Sequence, residues 1–311
     1  METTTQAPAE RSFEVPGHLY PFDANFFDIG GDVRMHYVDE GQGLPVVMVH
    51  GNPTWSFYYR RLISAVSKTH RVIVPDHIGC GFSDKPGDDL YQYTLKSRVD
   101  DLERLLDSLE ITEKVTLVLH DWGGMIGMAY ASRYPERIHR IVLLNTAAFR
   151  LPVTKPLPWT LRLARDTGLG ALLVNQLNAF SRGAARFCVT QKMSAEVAAA
   201  YTAPYDTPEN RIATLRFVQD IPLSPGDPAF EIVQGVEENL GQFDDRPVLI
   251  CWGGKDFVFD RHFLARWKEI LPSAKVVEFP DAGHYVLEDK ADEIVPLVES
   301  FLAEHPIVEE V

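Results

Sequence analysis

Only three cysteines occur among 311 residues, Cys80, Cys188 and Cys251, and none forms a CxxC pair. That excludes a disulfide framework and a cysteine-based zinc site, and it fits a reducing compartment. Long uncharged apolar runs are also missing, so no segment is expected to span or insert stably in a bilayer. Basic residues are in deficit, 30 Lys and Arg against 44 Asp and Glu, for a formal net charge of −14. Nucleic-acid binding needs a basic face and is not expected. An acidic surface should likewise be repelled by anionic membranes. The opening METTTQAPAE has neither the basic nor the apolar region of a signal peptide. It reads as a frayed tail, and a cytoplasmic location is expected.

What is present is a rhythm. From about Phe26 to Ala147, short apolar runs at 33–39, 45–50, 71–76, 115–119 and 141–145 alternate with amphipathic segments. The last three runs are almost continuous Val, Ile and Leu, as strands of a parallel sheet covered on both faces require. Val99, Leu102, Leu105, Leu106 and Leu109 share one side of a helix, with Asp100, Asp101, Glu103 and Arg104 on the other. This predicts a mostly parallel, doubly wound α/β sheet. From 149 to 230 the strands stop, and helical stretches separated by prolines take over. The rhythm resumes with strands at 248–252 and 275–279 and helices at 263–270 and 291–303. Three parts are therefore expected: an N-terminal tail over 1–25, a core of 26–148 plus 231–311, and a helical cap over 149–230. A cap inserted there would cover the carboxyl edge of the sheet, where open α/β sheets bind ligands.

Chemistry concentrates at the strand ends. Val115-Thr-Leu-Val-Leu-His-Asp121-Trp122-Gly123-Gly124 is a strand running through a glycine turn into a helix. That is the context of a nucleophile elbow, with Asp121 where serine is usual. A carboxylate is already ionised at neutral pH, so it needs no activating base and can attack an sp3 carbon directly. Asp256 follows the strand 248–252, and His284 follows the strand 275–279. The order nucleophile, acid, base is that of the α/β-hydrolase fold, with Asp256 orienting His284. The other strand end at which an acid would suit holds Asn145, which cannot serve. His50-Gly-Asn52-Pro-Thr lies after the strand 45–50, opposite the elbow, so Asn52 and the Trp122 indole are candidate donors to a departing anion.

Singly these residues are weak signals, since an Asp after a strand is more often a turn former or helix cap. The ordered set is what points to catalysis. His50, His77 and His120 are expected to be structural, or to support the candidate site residues from behind, despite their places in the motifs. His36, His70, His139, His262 and His305 show no partner pattern and read as surface or packing residues. Cys80 and Cys251 read as small core residues. Trp159, Phe180, Phe187 and Phe217 would suit a substrate tunnel, although packing aromatics are the commoner case.

From about Phe26 to Leu302 the chain resembles the haloalkane dehalogenases, through His50-Gly-Asn-Pro-Thr, His120-Asp-Trp-Gly-Gly, Asp256 and His284. That resemblance implies Asp121 as nucleophile, His284 as base, Asp256 as its acid, and Asn52 with Trp122 as anion holders. Epoxide hydrolases share the elbow and protonate through two cap tyrosines, here Tyr201 and Tyr205. The chain is most similar to a subgroup, the β-lactone decarboxylases of bacterial long-chain olefin synthesis. Its signatures are Pro75-Asp-His-Ile-Gly-Cys-Gly81, Asn145-Thr-Ala-Ala-Phe149, 178–185, 203–206, 211–222 and Asp256-Phe-Val-Phe-Asp260. This resemblance implies decarboxylation of cis-3,4-dialkyl β-lactones to cis-alkenes without metal or organic cofactor. A hydrophobic small-molecule substrate and association with other enzymes of that pathway are implied too. Haloalkane dehalogenation is the alternative. The residues leave open whether Asp121 attacks the lactone at its alkyl carbon or its carbonyl.

Overall fold

The computed structural model describes residues 12–112, 114–153 and 155–307. Eight strands form one sheet: β1 (Asn25–Gly30), β2 (Val33–Glu40), β3 (Pro45–Val49), β4 (Arg71–Pro75), β5 (Val115–Asp121), β6 (Ile138–Thr146), β7 (Val248–Gly253) and β8 (Lys275–Phe279). Their order is β1-β2-β4-β3-β5-β6-β7-β8. β1 and β2 pair antiparallel at one edge and β2 meets β4 antiparallel, while β4 through β8 run parallel. The apolar runs form β2 to β8, with β3 to β7 buried almost throughout and β8 a largely unburied edge strand. β1 (NFFDIG) was not foreseen, because an edge strand with half-exposed side chains carries no continuous apolar run.

Side chains alternate between the two faces with the period of a strand. Val47 and Val49 of β3 and Leu117 and Leu119 of β5 join one cluster with helices α2 (Leu95–Ser108), α3 (Trp122–Arg133), α9 (Phe230–Asn239) and α10 (Arg261–Ile270). Val46, Met48 and Val118 face the other way, onto α1 (Arg60–Val66) and α11 (Val286–Glu304). Between β6 and α9 lie α4 (Trp159–Asp166), α5 (Gly168–Leu177), α6 (Ala179–Phe187), α7 (Ala195–Thr202) and α8 (Ile212–Gln219). Several of these share a small core of their own, built on Ala164, Val174, Leu215 and Val218.

The chain before β1 departs from the expected tail. The polar opening lies outside the described residues, but Tyr20 and Phe22 are buried and Phe13 stacks on Phe82 at 4.3 Å. Tyr20 also hydrogen-bonds Ser56 at 2.6 Å. Aromatics in this stretch drive it onto the sheet layer, and they lie beyond the polar first ten residues from which the tail was expected.

The turn after β5 is the tightest place in the fold. A Cβ on Gly123 would sit 1.9 Å from the carbonyl oxygen of Val49, and one on Gly124 would sit 2.0 Å from Thr146 Oγ1. Helix α3 starts pressed against β3, and the obstacle at Gly123 is backbone, which has little room to yield. Gly123→Ala should therefore cost about 3 kcal/mol or more in folding stability by denaturant unfolding. Unchanged stability would show that the strand and helix do not approach this closely.

Candidate active site

Asp121 ends β5 and caps α3 with φ 52° and ψ −126°, a conformation that non-glycine residues rarely adopt. Such local strain persists only where the surroundings impose it, and it lifts the carboxylate off the sheet edge. Gly51 clears the space, since a Cβ there would lie 2.0 Å from Asp121 Oδ1. The backbone N–H of Asn52 donates to the same oxygen at 2.6 Å. Thr146 Oγ1 donates to the Asp121 carbonyl at 2.5 Å and pins the turn from the β6 side.

His284 lies behind the carboxylate. Its Nε2 is 3.5 Å from Asp121 Oδ2, and its Nδ1 is 2.8 Å from Asp256 Oδ2. Asp256 is gripped in turn: the backbone N–H groups of Val258 and Phe259 donate to Oδ1 at 2.7 and 3.1 Å. Asn145 Nδ2 donates to Oδ2 at 3.0 Å. Asn145 cannot be the acid, as its chemistry dictates, and it instead clamps the acid while its Oδ1 accepts from Gly253 N–H. Neither that clamp nor the Thr146 contact was foreseen. Phe259 stacks along His284 with ring centroids 5.7 Å apart.

The charges follow from this packing. Burial alone would raise the Asp121 pKa, but its contact with the charged His284 ring and the hydrogen bond from the Asn52 N–H outweigh it. The carboxyl titrates below its usual range. Burial works against His284 as well, yet Asp256 and Asp121 push its pKa up to about 10. The resting site therefore pairs an imidazolium with the Asp121 carboxylate.

His50, His77 and His120 are structural. His50 Nε2 accepts from His77 N–H at 3.1 Å, and His77 Nε2 bonds the His50 carbonyl at 3.0 Å. His120 Nε2 bonds the His284 carbonyl at 3.0 Å. Burial keeps all three neutral, with His120 lowered to about 3. His36 departs from expectation. It is fully buried and bonds Asp76 Oδ2 at 2.8 Å through Nδ1, a pairing between residues 40 apart that no local pattern discloses.

A cavity of about 1060 Å³ opens over Asp121. Asn52, Asp121, Trp122 and His284 form its polar floor, and α4, α5, α6 and 257–259 supply mostly apolar walls. Trp159, Phe180 and Phe187 line it, whereas Phe217 instead packs on Trp122 at 5.4 Å and under the Arg98 guanidinium at 3.6 Å. The Trp122 indole N–H has no protein acceptor among the described residues and is free to meet a ligand. The Asn52 carboxamide is less free than expected. Its Nδ2 donates to the Thr214 carbonyl at 3.0 Å, which leaves one amide hydrogen for an anion. Neither Tyr201 nor Tyr205 lines the cavity, and the Tyr201 hydroxyl is taken by Glu288 at 2.5 Å. Among the described residues no cluster of His, Cys, Asp or Glu is arranged to hold a metal ion.

Strand order, elbow and triad agree with a sequence match to the α/β hydrolase fold family over residues 45–291. The chain belongs to that family. Among curated proteins, this α/β hydrolase is 58% identical over 287 residues to a cis-3-alkyl-4-alkyloxetan-2-one decarboxylase of Shewanella oneidensis, covering 92% of the chain and 90% of the relative. It is 48% identical over 295 residues to the protein of the same name from Xanthomonas campestris pv. campestris, covering 93% and 98%. Among solved structures it is similar to the haloalkane dehalogenase DbeA of Bradyrhizobium elkanii, with a TM-score of 0.80 at 26% identity, covering 91% and 98%.

Proposed function

We propose that this α/β hydrolase decarboxylates long-chain cis-3,4-dialkyl β-lactones to cis-alkenes and CO2. The observation that carries the reading is an ionised, imidazolium-paired Asp121 on the floor of a large apolar cavity. The two decarboxylase relatives supply the substrate class. Asp121 is the nucleophile, His284 and Asp256 its charge partners, and Trp122 with the spare Asn52 N–H hold the developing anion. Residues 149–230 act as the cap that gives the alkyl chains their walls.

The steps balance without water. An Asp121 oxygen attacks the lactone's alkyl-oxygen carbon, that C–O bond breaks with inversion, and the ring oxygen leaves as part of a carboxylate. The Trp122 and Asn52 N–H groups meet this charge as it forms. The C–C bond to the carboxylate then breaks, its electron pair makes the alkene, and Asp121 leaves with its own electrons. Inversion followed by anti elimination keeps both alkyl groups on one side, so a cis lactone gives a cis alkene. The apolar walls favour this second step, because they destabilise the carboxylate relative to neutral CO2. Attack at the carbonyl would instead release an alkoxide, a far stronger base than the floor is built to hold.

Haloalkane dehalogenation stays as a second reading, because the same Asp–His pair and free indole N–H would serve a halide. Epoxide opening loses its support, since both candidate tyrosines lie off the cavity. The protein should be incubated in H2(18)O with a cis-dialkyl oxetan-2-one and, separately, with a 1-haloalkane. Stoichiometric alkene and CO2 without heavy oxygen in the Asp121 peptide is the expected result. Label entering Asp121 during lactone turnover, or halide release as the faster reaction, would overturn it. Three buried free cysteines suit a reducing cytoplasm as the working compartment. An insoluble product and a reactive substrate favour hand-over from neighbouring enzymes of olefin synthesis.

A further inference from the structure

We infer that the cavity mouth is a docking surface for an anionic phospholipid membrane, so that alkyl chains exchange between bilayer and cavity without crossing water. The purpose of this surface rests on the long-chain reading above; its existence rests on the following residues. The chain as a whole is acidic, but residues 149–192 hold seven Lys and Arg and a single acid, Asp166. Three of those cations are neutralised: Arg150 by Glu237, Lys155 by Asp260, and Arg165 by Asp166 and Asp227. Arg162 has only a 3.7 Å contact with the already engaged Asp166. Arg182, Arg186 and Lys192 are exposed with no acidic partner among the described residues.

Apolar groups share this region. Trp159 and Phe187 line the cavity yet remain 75% and 69% exposed, and Phe257 does the same at 45%, so they form the rim of its mouth. On α5, Leu169 and Leu172 stand one turn apart and exposed, beside Gly170 and Leu173, which line the cavity. The Arg186 guanidinium lies over the Phe187 ring at 5.5 Å, a cation placed directly beside an exposed aromatic. Aromatics and leucines surrounded by free arginines are the side chains that settle at a lipid headgroup boundary. An exposed apolar patch of this kind marks an interaction surface.

Charge selects the occupant. A basic rim on an otherwise acidic molecule is drawn to an anionic bilayer while the rest of the surface is repelled, which turns the mouth toward the lipid. The expectation of simple repulsion averaged over the whole chain and missed this local reversal. A mouth continuous with an apolar cavity also spares a long chain the transfer of each CH2 through water. An acidic protein would satisfy the arginines but give the exposed Trp and Phe no apolar phase.

The full chain should be co-sedimented with vesicles of phosphatidylcholine alone and of phosphatidylcholine with phosphatidylglycerol, at low and high salt. Binding at least about tenfold tighter to the anionic vesicles, and lost at high salt, is expected. The double variant Arg182→Gln/Arg186→Gln should bind them about tenfold more weakly. Its melting temperature and its turnover of detergent-dispersed substrate should not change, because neither residue lines the cavity. Equal binding to both vesicle types, full binding by the double variant, or polyglutamate bound as tightly as the anionic vesicles would each overturn the inference. So would a dimer in sedimentation that buries the patch and leaves vesicles unbound. Vesicle binding is read without turnover, so a chain that binds lipid but leaves the lactone intact would strike only the substrate reading.

Discussion

Asp121→Asn should abolish lactone turnover, lowering kcat/KM by about 10⁴-fold or more while leaving the fold in place. The amide matches the carboxylate in shape, and asparagine tolerates a positive φ better than most residues, so the strained turn survives. What is lost is the electron pair that must bond to carbon. A neutral amide oxygen is a poor nucleophile, and it is a far worse leaving group in the second step. The check is kcat/KM on the cis lactone alongside thermal unfolding. Residual turnover within tenfold of the parent, with an intact fold, would mean that the bond to carbon forms elsewhere, and the proposed chemistry would be wrong.

His284→Ala has the second largest expected effect, and its signature lies in the pH profile. In the parent, burial raises the Asp121 pKa but the imidazolium more than offsets it, so the carboxylate stays charged below its usual range. Remove the ring and burial acts with less opposition, so the Asp121 pKa rises and less of it is ionised near neutrality. We expect kcat/KM at neutral pH to fall by about 10² to 10³-fold, with the acid limb of the profile displaced to higher pH. A ring whose only task was packing would lower activity without moving that limb. In the parent the alkaline limb should lie near pH 10, where the raised His284 pKa is reached and the imidazolium is lost. The stability linkage runs the same way at both ends. His284, with a raised pKa, contributes stability that is complete below its unfolded pKa and disappears as pH climbs through about 10. Asp121, with a depressed pKa, contributes stability above its unfolded pKa that disappears as pH falls through the folded value.

The variant also separates the two substrate readings. In haloalkane hydrolysis a base must deliver water to the alkyl ester, so His284→Ala should leave an alkyl group on Asp121 that adds mass to its peptide. In decarboxylation the ester collapses by losing CO2, and no stable adduct forms. In both reactions, forming the ester removes one negative charge beside His284 and so lowers its proton affinity. The ring can then become the base that hydrolysis needs, though decarboxylation has no use for one.

The amino-acid sequence by itself determined every strand of the sheet except β1, the elbow and the chain order of Asp121, Asp256 and His284. Those features are local: buried strands are continuous in Val, Ile and Leu, a tight turn needs Gly123 and Gly124, and the candidate catalytic groups follow strand ends. Only the tertiary structure decided where separate turns meet. The Asn145 clamp on Asp256, the buried His36–Asp76 pair and the engagement of Asn52 by Thr214 join residues 111, 40 and 162 positions apart. The same holds for the local charge reversal at the cavity mouth, where ion pairs from distant elements neutralise some arginines and leave others free. Periodicity reports the face on which a side chain lies, but the partner it meets there depends on packing across the sheet edge, and spacing along the chain carries no record of that distance.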